Sequence, residues 1–353
     1  LLATELLPQL CDYLAGPGVC EALGVAPGPW RLAFLAQGEY NINYLLTDAI
    51  GQRMVLRVNT GTQIGQAGGA QIAYEAAALR LLGPAGVAPR LLALDDTLSR
   101  LPYGLLLMEY LPGGPLRYGD PAHLDAAAAT LARLHDIPAP TDGPFIRRRP
   151  LVDDLAEARG WLAPYLACAR APSAVRALFE RALARAAADA GRFAGRFPTP
   201  WALVHTDVQA HNWVVDDGQE AADGGRSAEP AGVRCRLVDW ERPLIDDPSY
   251  DLVHFLLPTT TRWKCGYTFS EAERERFLER YCAARPDLEA DELRERVAIR
   301  WPFILLRALG WCAGAWVEYT GPGRALDNRD TLATIEDYLR PAALEELFGE
   351  WLY

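Results

Sequence analysis

Between two apolar runs the chain reads Ala202-Leu203-Val204-His205-Thr206-Asp207-Val208-Gln209-Ala210-His211-Asn212-Trp213-Val214-Val215, its densest cluster of polar side chains. The skeleton is H-x-D-x-x-x-x-N flanked by short strand-like segments. Further on, Leu237-Val238-Asp239-Trp240-Glu241 places a second acid at the end of another apolar run. Phosphoryl transfer from a nucleotide calls for this set of residue types. One aspartate orients and deprotonates the attacking hydroxyl, while an amide and a second aspartate hold Mg²⁺ against the phosphates. Mg²⁺ takes oxygen ligands and keeps several waters, so one carboxylate and one amide carbonyl suffice from the protein. Alone, Asp207 would read as a turn residue. With Asn212 and Asp239 beside it in the pattern, catalysis becomes the favoured reading.

Composition removes several other chemistries. The 353 residues carry 35 positive side chains, of which only Lys264 is a lysine. Lys264 follows Trp263 and precedes Cys265, so no Gly-Lys-Ser/Thr phosphate loop exists, and a pyridoxal Schiff base would have to use that one residue. No G-x-G-x-x-G follows a strand-like run. A net charge of −11 argues against a nucleic-acid surface. Cys11, Cys20, Cys168, Cys235, Cys265, Cys282 and Cys312 are scattered, odd in number and lack a C-x-x-C; they read as reduced thiols in a cytoplasm. His211 with His205 and Asp207 could be a zinc set, but there is no H-x-H or H-E-x-x-H. The N-terminal LLATELLPQLCDYL is amphipathic without a basic leader, so no signal peptide is expected. The most apolar stretch, Ile299 to Val317, contains Arg300 and Arg307, which favours a buried helix over a membrane span.

The elements that must position these residues follow from periodicity. Strand-like runs occupy Arg31–Leu35, Tyr44–Thr47, Met54–Val58, Leu91–Leu94 and Leu105–Tyr110, with a helix over Ala70 to Leu82. Beyond Pro112-Gly113-Gly114-Pro115 helical patterns dominate, near 121–135, 153–170, 173–195, 270–284, 288–318 and 327–348. Short strands at Leu203–Val204, Trp213–Val215 and Arg234–Val238 interrupt them. Residues 216–233, polar and rich in glycine and acids, read as an extended hairpin tip. With 50% hydrophobic residues, the expectation is an α+β chain of two lobes: a small antiparallel β-rich N-terminal lobe over 1–111 and a larger, mostly helical lobe over 112–353.

In this order and spacing the sequence resembles the aminoglycoside phosphotransferase and choline kinase family, small-molecule kinases with the bilobal protein-kinase-like fold. His205, Asp207 and Asn212 match its H-x-D-x-x-x-x-N, Asp239 its metal aspartate, and Asp247-Pro248-Ser249-Tyr250-Asp251-Leu252 the D-P-x-x-D-L that follows. Gln37 to Tyr44 sits where the family has its nucleotide-covering loop, Val55–Val58 at its third strand, Glu75 at its helix glutamate, and Leu107–Leu111 at its hinge. The resemblance implies ATP and Mg²⁺ as cofactors and a hydroxyl-bearing small molecule as acceptor. Gly38 to Asn41 would cover the phosphates, and Arg57, held by Glu75, would bind them. Backbone groups near Glu109 and Leu111 would take the adenine edge. Asp207 would be the base, Asn212 and Asp239 the metal ligands. His205 would brace the loop near Asp239, and Asp251 would cap its helix or tether the loop. The family's strand lysine is Arg57 here. Arginine stays charged and can grip phosphate and carboxylate through a planar fork, a different geometry from lysine.

Other residues have plainer readings. His254 is expected to be a core histidine, His135 a helix-end residue, and Gly61, Gly65, Gly68 and Gly69 a flexible lead into the helix. Trp301, Trp311 and Trp316 are expected in the core. Two alternatives come from other classes: a catalytically inactive nucleotide-binding pseudokinase, and a metal-dependent phosphoesterase. The expected partner is a small-molecule acceptor (an aminoglycoside, a choline-like amine, another amino alcohol or a sugar), with neither nucleic acid nor membrane, for a monomer or homodimer in the cytoplasm.

Overall fold

The structure, a computed structural model, describes residues 2–26, 28–38, 40–62, 65–66, 68–218, 232–263, 265–321 and 329–353. Lys264 and most of the expected hairpin tip at 216–233 lie outside the described residues. The chain forms two compact units. The first comprises Leu1–Leu116, Pro140–Phe145 and His211–Pro243; the second comprises Arg117–Ala139, Ile146–Ala210 and Leu244–Tyr353.

The first unit is built on a five-stranded antiparallel sheet in the order β1-β2-β3-β5-β4. Its strands are β1 (Arg31–Gln37), β2 (Asn41–Thr47), β3 (Arg53–Asn59), β4 (Leu91–Asp95) and β5 (Gly104–Glu109). Helices α1 (Leu2–Ala15) and α2 (Val19–Ala22) precede it, and α3 (Gly69–Leu82) lies between β3 and β4. Leu6, Leu10, Ile42, Leu46, Met54, Leu56, Val58, Leu105 and Leu107 form one buried cluster that joins α1 to the sheet. Each such aliphatic side chain removed from water contributes about 1.5–3 kcal/mol. Gly69 opens α3 where the chains nearly touch: a Cβ there would lie 2.1 Å from the Asp96 carbonyl oxygen.

A further hairpin, β7 (Trp213–Asp216) with β8 (Arg234–Leu237), belongs to this unit. Gly114 and Val215 exchange backbone hydrogen bonds of 3.0 and 2.8 Å, and the Leu237 N–H donates to the Val87 carbonyl at 2.9 Å. These bonds are why the compact units do not follow a single break at 111/112. Gly113 makes the approach feasible. Its φ is +138°, and a Cβ would stand 2.3 Å from the Val215 oxygen.

The second unit is mostly helical. It holds α4 (Pro121–Asp136), α5 (Val152–Ala167), α6 (Ser173–Phe193), α7 (Ser249–Leu256), α8 (Pro258–Thr261), α9 (Glu271–Ala283), α10 (Ala290–Tyr319), α11 (Arg329–Tyr338) and α12 (Pro341–Phe348). Strands β6 (Ala202–Val204) and β9 (Leu244–Asp246) pair antiparallel, Leu203 facing Ile245. Ser270 and Glu273 form a reciprocal capping box at the start of α9. The helical pattern expected over 327–348 is two helices instead. Pro341 restricts Arg340 to an extended conformation (φ −70°, ψ 137°), which ends α11 and starts α12.

By length and composition α10 could cross a membrane, yet 67% of its apolar window is buried inside this protein. Gly310 and Gly314 let α5 pack against it: a Cβ at Gly314 would stand 3.0 Å from the Trp161 oxygen. Arg300, fully buried on α10, answers two fully buried acids, Asp154 on α5 at 3.0 Å and Asp246 on β9 at 2.7 Å. That guanidinium pins two helices and a strand together by charge-assisted bonds.

Candidate active site

In the first unit, chemistry gathers around Arg57. The register pairs Asn41 with Asn59 and Asn43 with Arg57, so polar side chains repeat every second residue on adjacent strands and share a face. Arg57 is buried, 4% exposed. Its Nε donates to Asn43 Oδ1 at 2.9 Å, and its Nη1 donates both to Glu75 on α3 and to Asp239 Oδ1, the latter at 2.8 Å. Burial opposes the charge, but Glu75, Asp239 and Glu241 hold the guanidinium well above its ordinary pKa. Burial also pushes the Glu75 carboxyl up, with Arg57 pulling against it.

Asp239 and Asn212 sit at the same end of the β7–β8 hairpin. Trp213 pairs with Leu237, and one step beyond, the Val238 N–H donates to the Asn212 carbonyl at 2.8 Å. Asp239 adopts φ +70°, a left-handed conformation that disfavours a side chain. Trp240, next along, is buried and donates from Nε1 to the Leu237 carbonyl at 2.9 Å, which fixes the turn that aims Asp239. The Asp239 side chain is 31% exposed against 5% for Arg57 and 2% for Glu75. Among the described residues its Oδ2 has no hydrogen-bond partner, Arg57 engaging Oδ1.

The covering segment is tied down from within. The Gly38 N–H donates to the Asn41 carbonyl at 2.9 Å. Asn41 is buried; its Nδ2 donates to Glu241 Oε2 at 2.6 Å, and its Oδ1 accepts from Asn59 at 3.0 Å. Asn41 therefore presents backbone rather than amide, because Glu241 and Asn59 claim the side chain. At the end of β5 the Glu109 N–H donates to the Arg90 carbonyl at 2.9 Å, and its carboxylate pairs with Arg90 and Arg236. That amide is spent, so an adenine edge would have to be met beyond it, toward Leu111, which is itself buried.

In the second unit Asp207 follows β6 on a loop held by α7. Asp251, fully buried, accepts from the backbone N–H groups of His205 at 2.7 Å and Thr206 at 2.8 Å, and its Oδ2 lies 3.2 Å from His135 Nε2. Burial alone would raise the Asp251 carboxyl, but bonds from His135 and the loop hold it below the usual carboxylate range. Thr206 has φ +74°, costly for a β-branched residue and sustained here by Asp251. The Asp207 N–H donates to His205 Nδ1 at 3.3 Å, and Gln209 Nε2 donates to Asp207 Oδ2 at 3.0 Å. The Asp207 side chain is 47% exposed, open to a reactant.

Among the described residues no three His, Cys, Asp or Glu side chains assemble as a metal cluster. A part-exposed carboxylate and an amide residue at the same end of one hairpin suit an ion that keeps waters and borrows phosphate oxygens.

Residues 31–295 match the phosphotransferase enzyme family. The chain belongs to that family. This phosphotransferase also resembles solved small-molecule kinases throughout its length. A choline/ethanolamine kinase family protein from Mesorhizobium loti shares 21% identity, covering 99% of this chain and 98% of the other, with a TM-score of 0.60. An ethanolamine kinase from Plasmodium vivax shares 15% over 90% and 82%, with a TM-score of 0.62. The streptomycin–ATP ternary complex of APH(2″)-IIa shares 15% over 97% and 98%, with a TM-score of 0.58. No curated protein matches the chain. The likenesses establish the fold as α+β, bilobal and protein-kinase-like, and the family makes this chain a small-molecule phosphotransferase.

Several residues around the candidate site carry no motif in the sequence. Asn43 and Asn59 had a signal, the alternation N-x-N in β2 against R-x-N in β3. Gln71, whose Nε2 donates to the Glu241 carbonyl at 2.7 Å, had none, because its partner is 170 residues away. His254 reads in the sequence as a core histidine, yet its Nε2 lies 3.8 Å from Asp207 Oδ1.

Proposed function

We propose that this phosphotransferase transfers the terminal phosphoryl group of ATP, with Mg²⁺, to a hydroxyl of a small molecule: aminoglycoside-like, choline-like, or another amino alcohol or sugar. The observation that carries the reading is Asp207 itself, solvent-accessible on a loop whose backbone Asp251 grips at two consecutive N–H groups. Loop strain sustained in this way beside an open carboxylate is the mark of a positioned base.

Bound Mg²⁺ and ATP supply the electrophilic phosphoryl group and neutralise its charge. The remaining work belongs to the chain. Asp207 orients the acceptor hydroxyl and takes its proton. Asn212 and Asp239 would hold the ion, Asp239 through Oδ2, the oxygen that Arg57 does not engage. Arg57, restrained by Glu75 and Asn43, faces the phosphates as a fixed cation. The backbone of Gly38 to Asn41 covers them, and that near Glu109 and Leu111 receives the adenine. His205 and Asp251 set the loop. The stretch over 1–111 serves the nucleotide, and 112–353 carries the catalytic loop and the acceptor region. Catalysis on this plan is positioning and charge neutralisation. We place the enzyme in the cytoplasm as a monomer or homodimer acting on small molecules. The family membership and a relative solved with ATP support the nucleotide; the seven cysteines, none of them in a disulfide, support the compartment.

The test is a panel of amino alcohols, aminoglycosides, choline and sugars assayed by ADP release with Mg-ATP, using Asp207→Ala as the blank. The reading expects at least one acceptor to raise ADP release in the native enzyme and none in the variant. ATP-dependent thermal stabilisation with no release for any acceptor would identify a pseudokinase instead.

A further inference from the structure

Helix α7 takes hold of the loop after β6 twice. Asp251 binds its backbone, and one turn later on the same face His254 reaches the side chain that the loop displays. His254 is 8% exposed, and its Nε2 lies 3.8 Å from Asp207 Oδ1, while Gln209 donates to the other oxygen, Oδ2. Its Nδ1 is buried and meets no partner among the described residues. These facts favour the Nε2–H tautomer. A proton on Nδ1 would bury an unsatisfied donor and set the Nε2 lone pair against a carboxylate oxygen. A proton on Nε2 removes the repulsion and leaves at Nδ1 a buried acceptor in place of a buried donor.

We propose that His254 is a positioning residue for Asp207, a neutral imidazole that directs Nε2–H at Oδ1 and, together with Gln209 on Oδ2, fixes the plane of the carboxylate that receives the acceptor's proton. The inference rests on Asp207 being the base. At 3.8 Å the contact is longer than a hydrogen bond, and catalytic contacts of this kind tighten when reactants bind. The ring is neutral near neutral pH. Burial pulls its pKa down to about 4, with Asp207 and Asp251 working to raise it and Arg307 on α10 and His205 working to lower it. An imidazolium here would neutralise the base; a neutral donor orients it and leaves its charge intact.

The test joins a spectroscopic and a kinetic arm on the full chain. With ¹⁵N-labelled histidine, the resonances lost in His254→Gln identify the ring. The proposal expects the Nε2–H tautomer, protonating only well below pH 6, and a midpoint that drops further in Asp207→Asn. The Nδ1–H tautomer, or a midpoint indifferent to Asp207, would overturn it even if the substituted proteins fold poorly. In the kinetic arm the probe is slow hydrolysis of Mg-ATP, with water as acceptor, followed by ADP release. His254→Leu should lower kcat about 10–100-fold with little change in KM for ATP, the scale of a misplaced reacting group. His254→Gln, which restores an N–H donor, should recover most of the loss. Turnover within twofold of native in His254→Leu, while Asp207→Asn is silent, refutes the positioning role alone. Full turnover in Asp207→Asn would instead remove the base assignment and this inference with it.

Discussion

Replacing Arg57 by methionine tests the centre of the first unit. Methionine keeps the length of the stem and deletes the charge, leaving Glu75, 2% exposed, and Asp239 without the cation they share. Removing one partner of a buried pair costs about 3–5 kcal/mol, because the remaining charge has lost its compensation and has no water to replace it. At about 2–4 °C per kcal/mol for a domain of this size, the melting temperature should fall by roughly 6–20 °C at pH 8. The loss should shrink toward pH 5. Burial already raises the Glu75 pKa, so its folded form holds a proton more readily than its unfolded form. A group with a raised folded-state value stabilises most at low pH and loses that contribution as pH rises. A second change, Glu75→Gln, removes the orphaned charge and should return about 2 kcal/mol of the loss, the size of coupling found between residues in contact. The assay is thermal unfolding of the native protein, the two single variants and the double variant at pH 5 and pH 8, alongside ADP release. A melting point for Arg57→Met within about 2 °C of native at pH 8, or strict additivity in the double variant, would refute the view that one guanidinium holds both acids.

Other outcomes follow from the same geometry. Asp207→Asn should cut acceptor-dependent ADP release by about 10²–10⁴-fold and leave ATP affinity by calorimetry nearly unchanged, since a base acts on the acceptor's proton; a proportional loss of ATP affinity would contradict that role. Asp239→Ala should abolish the extra thermal stabilisation that Mg²⁺ adds to ATP, and an undiminished Mg²⁺ effect would move the metal elsewhere. Native stability should decline as pH falls from about 6.5 through 4, because His254 stays neutral when folded but charges when unfolded; the term is on the order of 3 kcal/mol and should vanish in His254→Leu. Arg300→Met should cost about 3–5 kcal/mol by stranding Asp154 and Asp246 in the core, and a variant melting like the native protein would mean the network is not cohesive.

What the sequence disclosed and what it withheld divide along a physical line. The strands and most helices are legible because apolar periodicity records burial, and His205, Asp207, Asn212 and Asp239 stand out as candidates because phosphoryl chemistry restricts residue type at fixed spacing. Helix α1 and strand β9 are harder to read, the first because an amphipathic N-terminal run also suits a leader, the second because Leu244–Asp246 is three residues long. The greater gap lies in what restrains the chemistry. Glu241 stands in the sequence merely as a second acid two residues after Asp239, yet it fastens Asn41 from 200 residues away and adds to the field on Arg57. His254 reads as core because an apolar helix surrounds it, and only its distance to Asp207 reveals a second use. A reactive group is constrained by its own chemistry and leaves a motif. The residue that holds it need only offer a donor or a charge at the right place, which many types can do from anywhere in the chain. Functional reach across the fold is therefore written in register and packing: Asn43 opposite Arg57, Val238 on Asn212, and a helix whose Asp251 and His254 take the backbone and the side chain of a single loop.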